Sequence, residues 1–520
     1  MRSPVLHAAL ALALAGAACR GEAAPAAPAS APGKPPPAAA APAAAGSPPP
    51  AAPRRPPDVV TLARPGGREW FGLYLVGRKA GYTWMEVGLE RRGGQSVLVA
   101  RAETSLTATL GGRTVTRLQR DEKVYQARPR GRLLAFSTRR AGDGGDRSFT
   151  GTCGERTCEV VVASAGSRET RSIPHPGETA EQADGARLAA ALRGPVRGAQ
   201  LQADQLRVRQ VEDVWVGRRR LGGAGVEVEV SVVTEREQGD RAAIEVLVAD
   251  DGRVAEMRLG GSVVARAEPE EVARRLDRVD LFNLTRVPLP GPLPRTVPGA
   301  VTYRLRGLPE GFRKGDERQR FGPAAGGDAV LTVSARLPAA ADPARDAPRA
   351  AGAAPGDEHL APTPEVDSDA PAIRALAAEV AGDARGAWAA ARRLNQHVHR
   401  RLEKTFGQSR DRASEVLAGG KGDCTEHALL LVALARAAGV PARLVHGLVY
   451  ARYGDGADAL YWHAWAEVRS GGEWIAMDPT LGQDVADATH LALGRGTQVD
   501  TVGLLGELRV LAADPAPAAP

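Results

Sequence analysis

A helix that is apolar on nearly every side has to be buried on nearly every side, and the run from Cys424 to Ala438 reads as such a helix. Ala428, Leu431, Val432 and Ala435 make one apolar face, and Leu429, Leu430 and Leu434 carry it around the axis. Gly439 stands where a C-terminal cap belongs and Pro441 follows, so the helix stops there. The spacing predicts a central core helix that begins at Cys424 behind Gly420-Lys421-Gly422-Asp423. The unpaired N–H groups at that end carry partial positive charge. They stabilise a thiolate and are placed to donate to an oxyanion.

Three strand-like runs follow: Ala442–Tyr450, Trp462–Val468 and Glu473–Thr480. His463 is expected at the start of the second, and Asp478 at the end of the third beside Pro479. A cysteine on a helix, with histidine and aspartate on adjacent antiparallel strands, is an order that closes a nucleophile–base–acid triad. His427 is the other histidine in reach of Cys424, but it lies on the same helix and points along its side. Asp423 and Glu426 read as cap or solvent residues, and Gln408 is a candidate oxyanion donor upstream. Each residue also has a plainer reading: a core thiol, a strand histidine, a turn aspartate before proline.

The segments GDCTEHALLLVALARAAGVPAR, YWHAWAEV and WIAMDPT resemble three consecutive motifs of the transglutaminase-like superfamily, in the same order. ADATHLAL, from Ala486, is similar to the tail of bacterial members. The resemblance covers roughly residues 370–495. It implies a domain at 370–497 with a papain-like α+β core, Cys424 as nucleophile, His463 as base and Asp478 as orienting acid. It implies no metal and no organic cofactor. The function that follows is a cysteine enzyme attacking amide or peptide carbonyls, with the thioester passed to water or to an amine. The alternative is a non-catalytic envelope lipoprotein that uses the fold as a binding scaffold.

The 520-residue chain is long for a single core. Residues 58–337 read as a β-rich antiparallel region: Val226, Val228 and Val230 alternate with Glu227 and Glu229, and Asp250-Asp251-Gly252 marks a turn. A helical interruption is expected at Leu188–Leu192, and a short amphipathic helix over 266–281. Residues 338–369 read as an Ala/Pro/Asp-rich linker. Asp369 is then expected to cap a helix carrying Pro371, and a second helix to start from Asp383. Residues 498–520 are a C-terminal strand or tail. The fold class is α+β, with the β-rich region first.

The N-terminus reads as an export signal. Met1-Arg2 supplies positive charge, Val5–Ala15 is apolar but too short to span a bilayer, and Gly16-Ala17-Ala18 leads into Cys19. Residues 1–19 resemble a signal peptide with a bacterial lipobox, in which Cys19 is lipidated; ordinary cleavage after Ala15-Gly16-Ala17 is the rival. Residues 20–57, nearly all Ala, Pro and Gly, read as a disordered tether. Both readings place the chain in the cell envelope, periplasmic or on the outer membrane. In that oxidising setting Cys153 and Cys158, flanking a turn, suit a hairpin disulfide; two structural thiols or half of a metal site are the alternatives. Cys424 is then the odd thiol. A net charge of +7, from 68 basic and 61 acidic residues without a basic block, argues against nucleic acid. The partners expected are a protein or peptide substrate and a membrane reached through Cys19.

Overall fold

The computed structural model describes residues 56–517, apart from 64–66, 111–112, 143–144, 165–166, 224–225, 239–242, 295, 298, 324–325, 336–338, 342–345, 347, 349–356, 406–411, 453–456, 497–500 and 502–503. The stretch read as a signal peptide, Cys19, nearly all of the segment read as a tether and Gln408 lie outside the described residues.

Among the described residues, fourteen strands between Glu69 and Ala267 form one antiparallel sheet. Sequence neighbours pair except Ser167–Pro174 and Val196–Gln202, which end the order on its two edges, and the first strand, Glu69–Leu75, also pairs with the last, Val263–Ala267. Period-two patterning shows in strand Thr157–Ser164, where Cys158, Val160 and Val162 face inward and Thr157 and Glu159 face solvent. The sheet curls on itself. Lys123 and Leu201 lie nine strand spacings apart along it, roughly 43 Å if flat, yet the Lys123 ammonium donates to the Leu201 carbonyl at 2.7 Å. Helix Gly185–Leu192, close to where the interruption was expected, packs inside the curl through Ala186, Leu188 and Ala189. Cys153 and Cys158 face each other across a hairpin and are joined in a disulfide.

Two expectations for this region fail for identifiable reasons. On the valine face read at Val226–Val230, Val230 is buried while Val228 is 43% exposed. The neighbouring strand stops at Ala249, opposite Val230, so the hairpin beyond it has no second partner to cover it. The amphipathic helix over 266–281 is also shorter than read. Only Glu270–Ala273 is helical, because the chain beyond is drawn into sheet-like bonding: Asp277 donates to the Lys79 carbonyl and Thr109 to the Val279 carbonyl.

The C-terminal part is helix-and-sheet. Strands Ala442–Ala451, Ala459–Ser470, Glu473–Met477 and Leu491–Arg495, with Val287–Pro288 at one edge, form an antiparallel sheet. Helices Pro371–Ala381, Ala387–Arg401 and Cys424–Ala437 cover it around Leu444, Ala464 and Val468. A four-stranded sheet covers it around Leu448, Tyr450 and Leu460, through Val301, Tyr303 and Leu331. That sheet unites Ala300–Arg306, Gln319–Gly322 and Ala329–Ser334 with Arg509–Ala516 from the far end of the chain. Residues 300–334 therefore share their core with the C-terminal region rather than with the fourteen-stranded sheet. The caps differ from expectation too. The first helix starts behind Ala370, with no side-chain cap from Asp369, and the second starts at Ala387 rather than near Asp383. Its end is held by Asp346, which accepts from the Trp388 and Ala389 N–H groups at 2.8 and 3.0 Å. Asp367 likewise accepts from Ser414 N–H at 3.0 Å. Parts of the 338–369 segment thus serve as caps, a role that sequence neighbours cannot reveal.

Candidate active site

Cys424 is the first residue of its helix, half-buried, and the one unpaired cysteine among the described residues. The helix start is tightly organised. The Asp423 carboxylate accepts from the Thr425 and Glu426 N–H groups, and the Glu426 carboxylate accepts from Asp423 N–H at 2.8 Å. Burial and then the Glu426 charge push the Asp423 carboxyl well above the usual range. His427 N–H goes to the Asp423 carbonyl. Of the first four N–H groups, that of Cys424 has no partner among the described residues. The His427 ring donates from Nδ1 to the Asp423 carbonyl at 2.7 Å. Burial pushes its pKa down against the pull of Asp423 and Asp478, so it braces the helix as a neutral ring.

His463 lies in the middle of strand Ala459–Ser470, not at its start as expected, opposite Gly447. A Cβ on Gly447 would lie 2.0 Å from the Leu491 carbonyl oxygen and 2.9 Å from the Trp465 ring, so only glycine fits. Trp465 is fully buried; its ring lies 6.1 Å from that of His463 at 24°, fixing the imidazole plane. His463 Nε2 is 2.7 Å from Asp478 Oδ2. That leaves Nδ1 for the Cys424 thiol. Burial alone would lower the His463 pKa. The Asp478 charge, then Cys424 and the hydrogen bonds to both, overcome it and raise it to about 9.

Asp478 is wholly buried just past strand Glu473–Met477. Oδ1 accepts from the Thr480 and Leu481 N–H groups at 2.7 and 2.9 Å. Oδ2 takes His463 and also His490 Nε2, at 3.0 Å. Burial opposes its ionisation, but the charges and hydrogen bonds of the two histidines hold it well below the usual carboxylate range. The other nitrogen of His490 is 3.1 Å from Asp487 Oδ1. Burial likewise opposes charge on Asp487, and His490 and Thr489 bring its pKa down to about 2. Arg318, from the four-stranded side, donates to the carbonyls of Ala486, Asp487 and His490 and clamps this loop.

His463, Asp478 and His490 bring three donors within 4.8 Å of one another, as a metal site does. The geometry does not fit that use. Both rings meet Asp478 Oδ2 at hydrogen-bond length and Oδ1 holds two backbone donors, so an ion taking Oδ2 and the two ring nitrogens would have to break both imidazole–carboxylate bonds. Cys153, Cys158 and His175 also cluster, but those two sulfurs are bonded to each other.

The structure thus gathers Cys424, His463 and Asp478 at one place, with Cys153–Cys158 in the other region. Sequence reading assigned no role to His490, Asp487, Trp465 or Arg318. The first two stand in the ADATHLAL segment, three residues apart beside a threonine, and that spacing was the one available signal. Arg318 is 172 residues from His490 and carries no local cue.

Residues 374–479 match the model of the transglutaminase-like superfamily, a span that includes Cys424, His463 and Asp478 and ends before Asp487. No curated protein matches the chain. Among solved structures, a candidate cysteine protease from Cytophaga hutchinsonii is similar at 16% identity and a TM-score of 0.30, over 42% of this chain and 83% of that one. A β-barrel-like protein of a domain of unknown function from Brucella abortus is similar at 12% identity and a TM-score of 0.29, over 41% of this chain and 96% of that one. A candidate protease from Parabacteroides distasonis gives 11% identity and a TM-score of 0.18, over 76% and 70%.

Proposed function

We propose that this chain, whose residues 374–479 match the transglutaminase-like superfamily, is a cell-envelope cysteine enzyme with a papain-like core that attacks amide or peptide carbonyls. The observation that carries the reading is the two-sided use of His463. One ring nitrogen is held by Asp478 at 2.7 Å, and the ring also interacts with a cysteine at a helix N-terminus. Cys424 gives its proton to His463 and its sulfur attacks the carbonyl carbon, while the Cys424 N–H faces the developing oxyanion. His463 then protonates the departing amine as the C–N bond breaks, leaving a thioester. Water or a second amine attacks that thioester, His463 takes the incoming proton, and the sulfur leaves. Asp478 keeps the imidazole in the tautomer and plane this requires.

The envelope placement and the lipid on Cys19 are supported by Met1–Cys19 and the Ala/Pro-rich stretch behind it. Cys19→Ala should shift the protein from the membrane to the soluble fraction, and a wild type already soluble removes the anchor. For the site, iodoacetamide should alkylate Cys424 at pH 6 far faster than a model thiol. His463→Ala should slow that reaction about 100-fold. Equal rates in wild type and His463→Ala would leave the fold as a binding scaffold.

A further inference from the structure

We propose that His490, held by Asp487, is a positioning residue of this site: a buried imidazolium that fixes Asp478 and sets the pH range over which His463 works. The inference rests on the triad reading above. Its geometric basis is that both His490 nitrogens meet carboxylate oxygens, Nε2 at Asp478 Oδ2 (3.0 Å) and Nδ1 at Asp487 Oδ1 (3.1 Å). A neutral imidazole donates from one nitrogen only and would turn a lone pair on one of these oxygens. Both contacts are satisfied together only by the protonated ring. Its surroundings are built for it. His490 and Asp478 are fully buried, Asp487 is 6% exposed, and the edge of Trp465 closes one side at 5.2 Å. The titratable and charged groups facing it are Asp478, Asp487, His463 from strand Ala459–Ser470, and Arg318 from the four-stranded side, with Tyr303 beside Asp487. Burial opposes charge on His490, and the two carboxylates outweigh it and raise its pKa.

The consequence is electrostatic. His463 and His490 share one oxygen, with ring centroids 6.0 Å apart. A fixed positive charge there offsets part of the Asp478 charge that His463 feels. It therefore restrains the rise of the His463 pKa and keeps the ring able to release its proton. Without it Asp478 would hold His463 protonated more firmly.

Two measurements on the full chain test this. In wild type, nitrogen chemical shifts of ¹⁵N-histidine-labelled protein at pH 7 should give His490 as a doubly protonated ring; a neutral His490 overturns the proposal without any variant. The second is the alkaline limb of the pH–rate profile for Cys424 acylation by an activated peptide ester, followed by mass spectrometry. It should lie near pH 9 in wild type. It should move up by about one unit in His490→Gln, which keeps a donor but removes the charge. Asp487→Asn, nearly isosteric, should move it the same way by less, and reads the effect if His490→Gln does not fold. A residue that merely packs would lower the amplitude and leave the limb in place, and that result overturns the role. If wild-type Cys424 does not acylate at all, the triad reading fails instead, and the nitrogen shifts still report on His490.

Discussion

Two of the buried carboxylates, one in each region, sit at the heart of polar clusters, and each is satisfied with four hydrogen bonds. Glu178, inside the curled sheet, takes Lys123 Nζ on both oxygens at 2.9 Å, the Tyr125 hydroxyl at 2.6 Å and the Leu201 N–H at 2.5 Å. Asp478 takes two backbone N–H groups and two imidazoles. What differs is the far end of each donor. The ammonium of Lys123 spends its remaining reach on the Leu201 carbonyl, and the phenol of Tyr125 has no second end. An imidazole has two ends. His463 passes on to Cys424 and His490 to Asp487, so a change of charge at the thiol is felt by the carboxylates. A buried charge saturated by one-ended donors ties strands together; the same charge held by two-ended donors can move protons.

The comparison predicts opposite responses. Cys424→Ala should abolish acyl transfer, a loss on the order of 10⁶-fold for a nucleophile of this kind, while thermal unfolding stays near wild type. Asp478→Asn should follow at about 10⁴-fold in turnover, since the amide no longer fixes the His463 tautomer. Full activity in Cys424→Ala would break the contrast at once. On the other side, Glu178→Gln should leave the rate of Cys424 alkylation unchanged and cost about 3–5 kcal/mol in denaturant unfolding, because it strands the Lys123 charge in the core. Loss of activity at full stability in this variant would mean that the two regions are coupled through the site.

A pH series sharpens the same contrast. The fold raises His463 from its usual 6.5 to about 9. Its contribution to stability is therefore complete below about pH 6.5 and is lost as pH rises through about 9. Asp478 is depressed, so its contribution is present above about pH 4 and is lost in acid. Burial and then Glu178 raise Tyr125 well above 10, so Tyr125 contributes no loss until more alkaline conditions. Thermal melts from pH 6 to 9 should thus fall in wild type and fall less steeply in His463→Ala, where His490 is the raised histidine that remains. Parallel slopes would show that His463 is not their source.

What the sequence disclosed, and what it withheld, follows from the range of each interaction. The Cys424 helix was legible because its apolar breadth, cap and terminator lie within one stretch, and the strand sequence of residues 442–478 because short, largely buried apolar runs are local signals. His490 was hidden because its meaning depends on two carboxylates meeting one ring, and Arg318 because its partners are 168–172 residues away. Caps from Asp346 and Asp367 were missed for the same reason, as local candidates such as Asp369 looked sufficient. The 300–334 strands were grouped with their sequence neighbours, although their core partners are Leu448, Leu460 and the strand Arg509–Ala516. Residues that satisfy distant groups leave no periodic trace.

The smallest effect belongs to the disulfide, which lies in the region assigned no chemistry. Cys153 and Cys158 are five residues apart, so the loop they close is short and removes little entropy from the unfolded chain. The expected stabilisation is about 2 kcal/mol. The half of the sheet that holds the hairpin is also the half that carries Lys123 and Tyr125. Replacing both cysteines by serine should therefore lower the unfolding midpoint of the curled sheet by that modest amount, on top of the cost of two buried hydroxyls; Cys153→Ala with Cys158→Val avoids that second cost. In either variant Cys424 should be alkylated at the wild-type rate, because no hydrogen bond of the Asp478 cluster reaches this hairpin among the described residues. A slower Cys424 in protein whose C-terminal region remains folded would mean that the hairpin supports the site, and the division between a holding cluster and a proton-moving cluster would have to be redrawn.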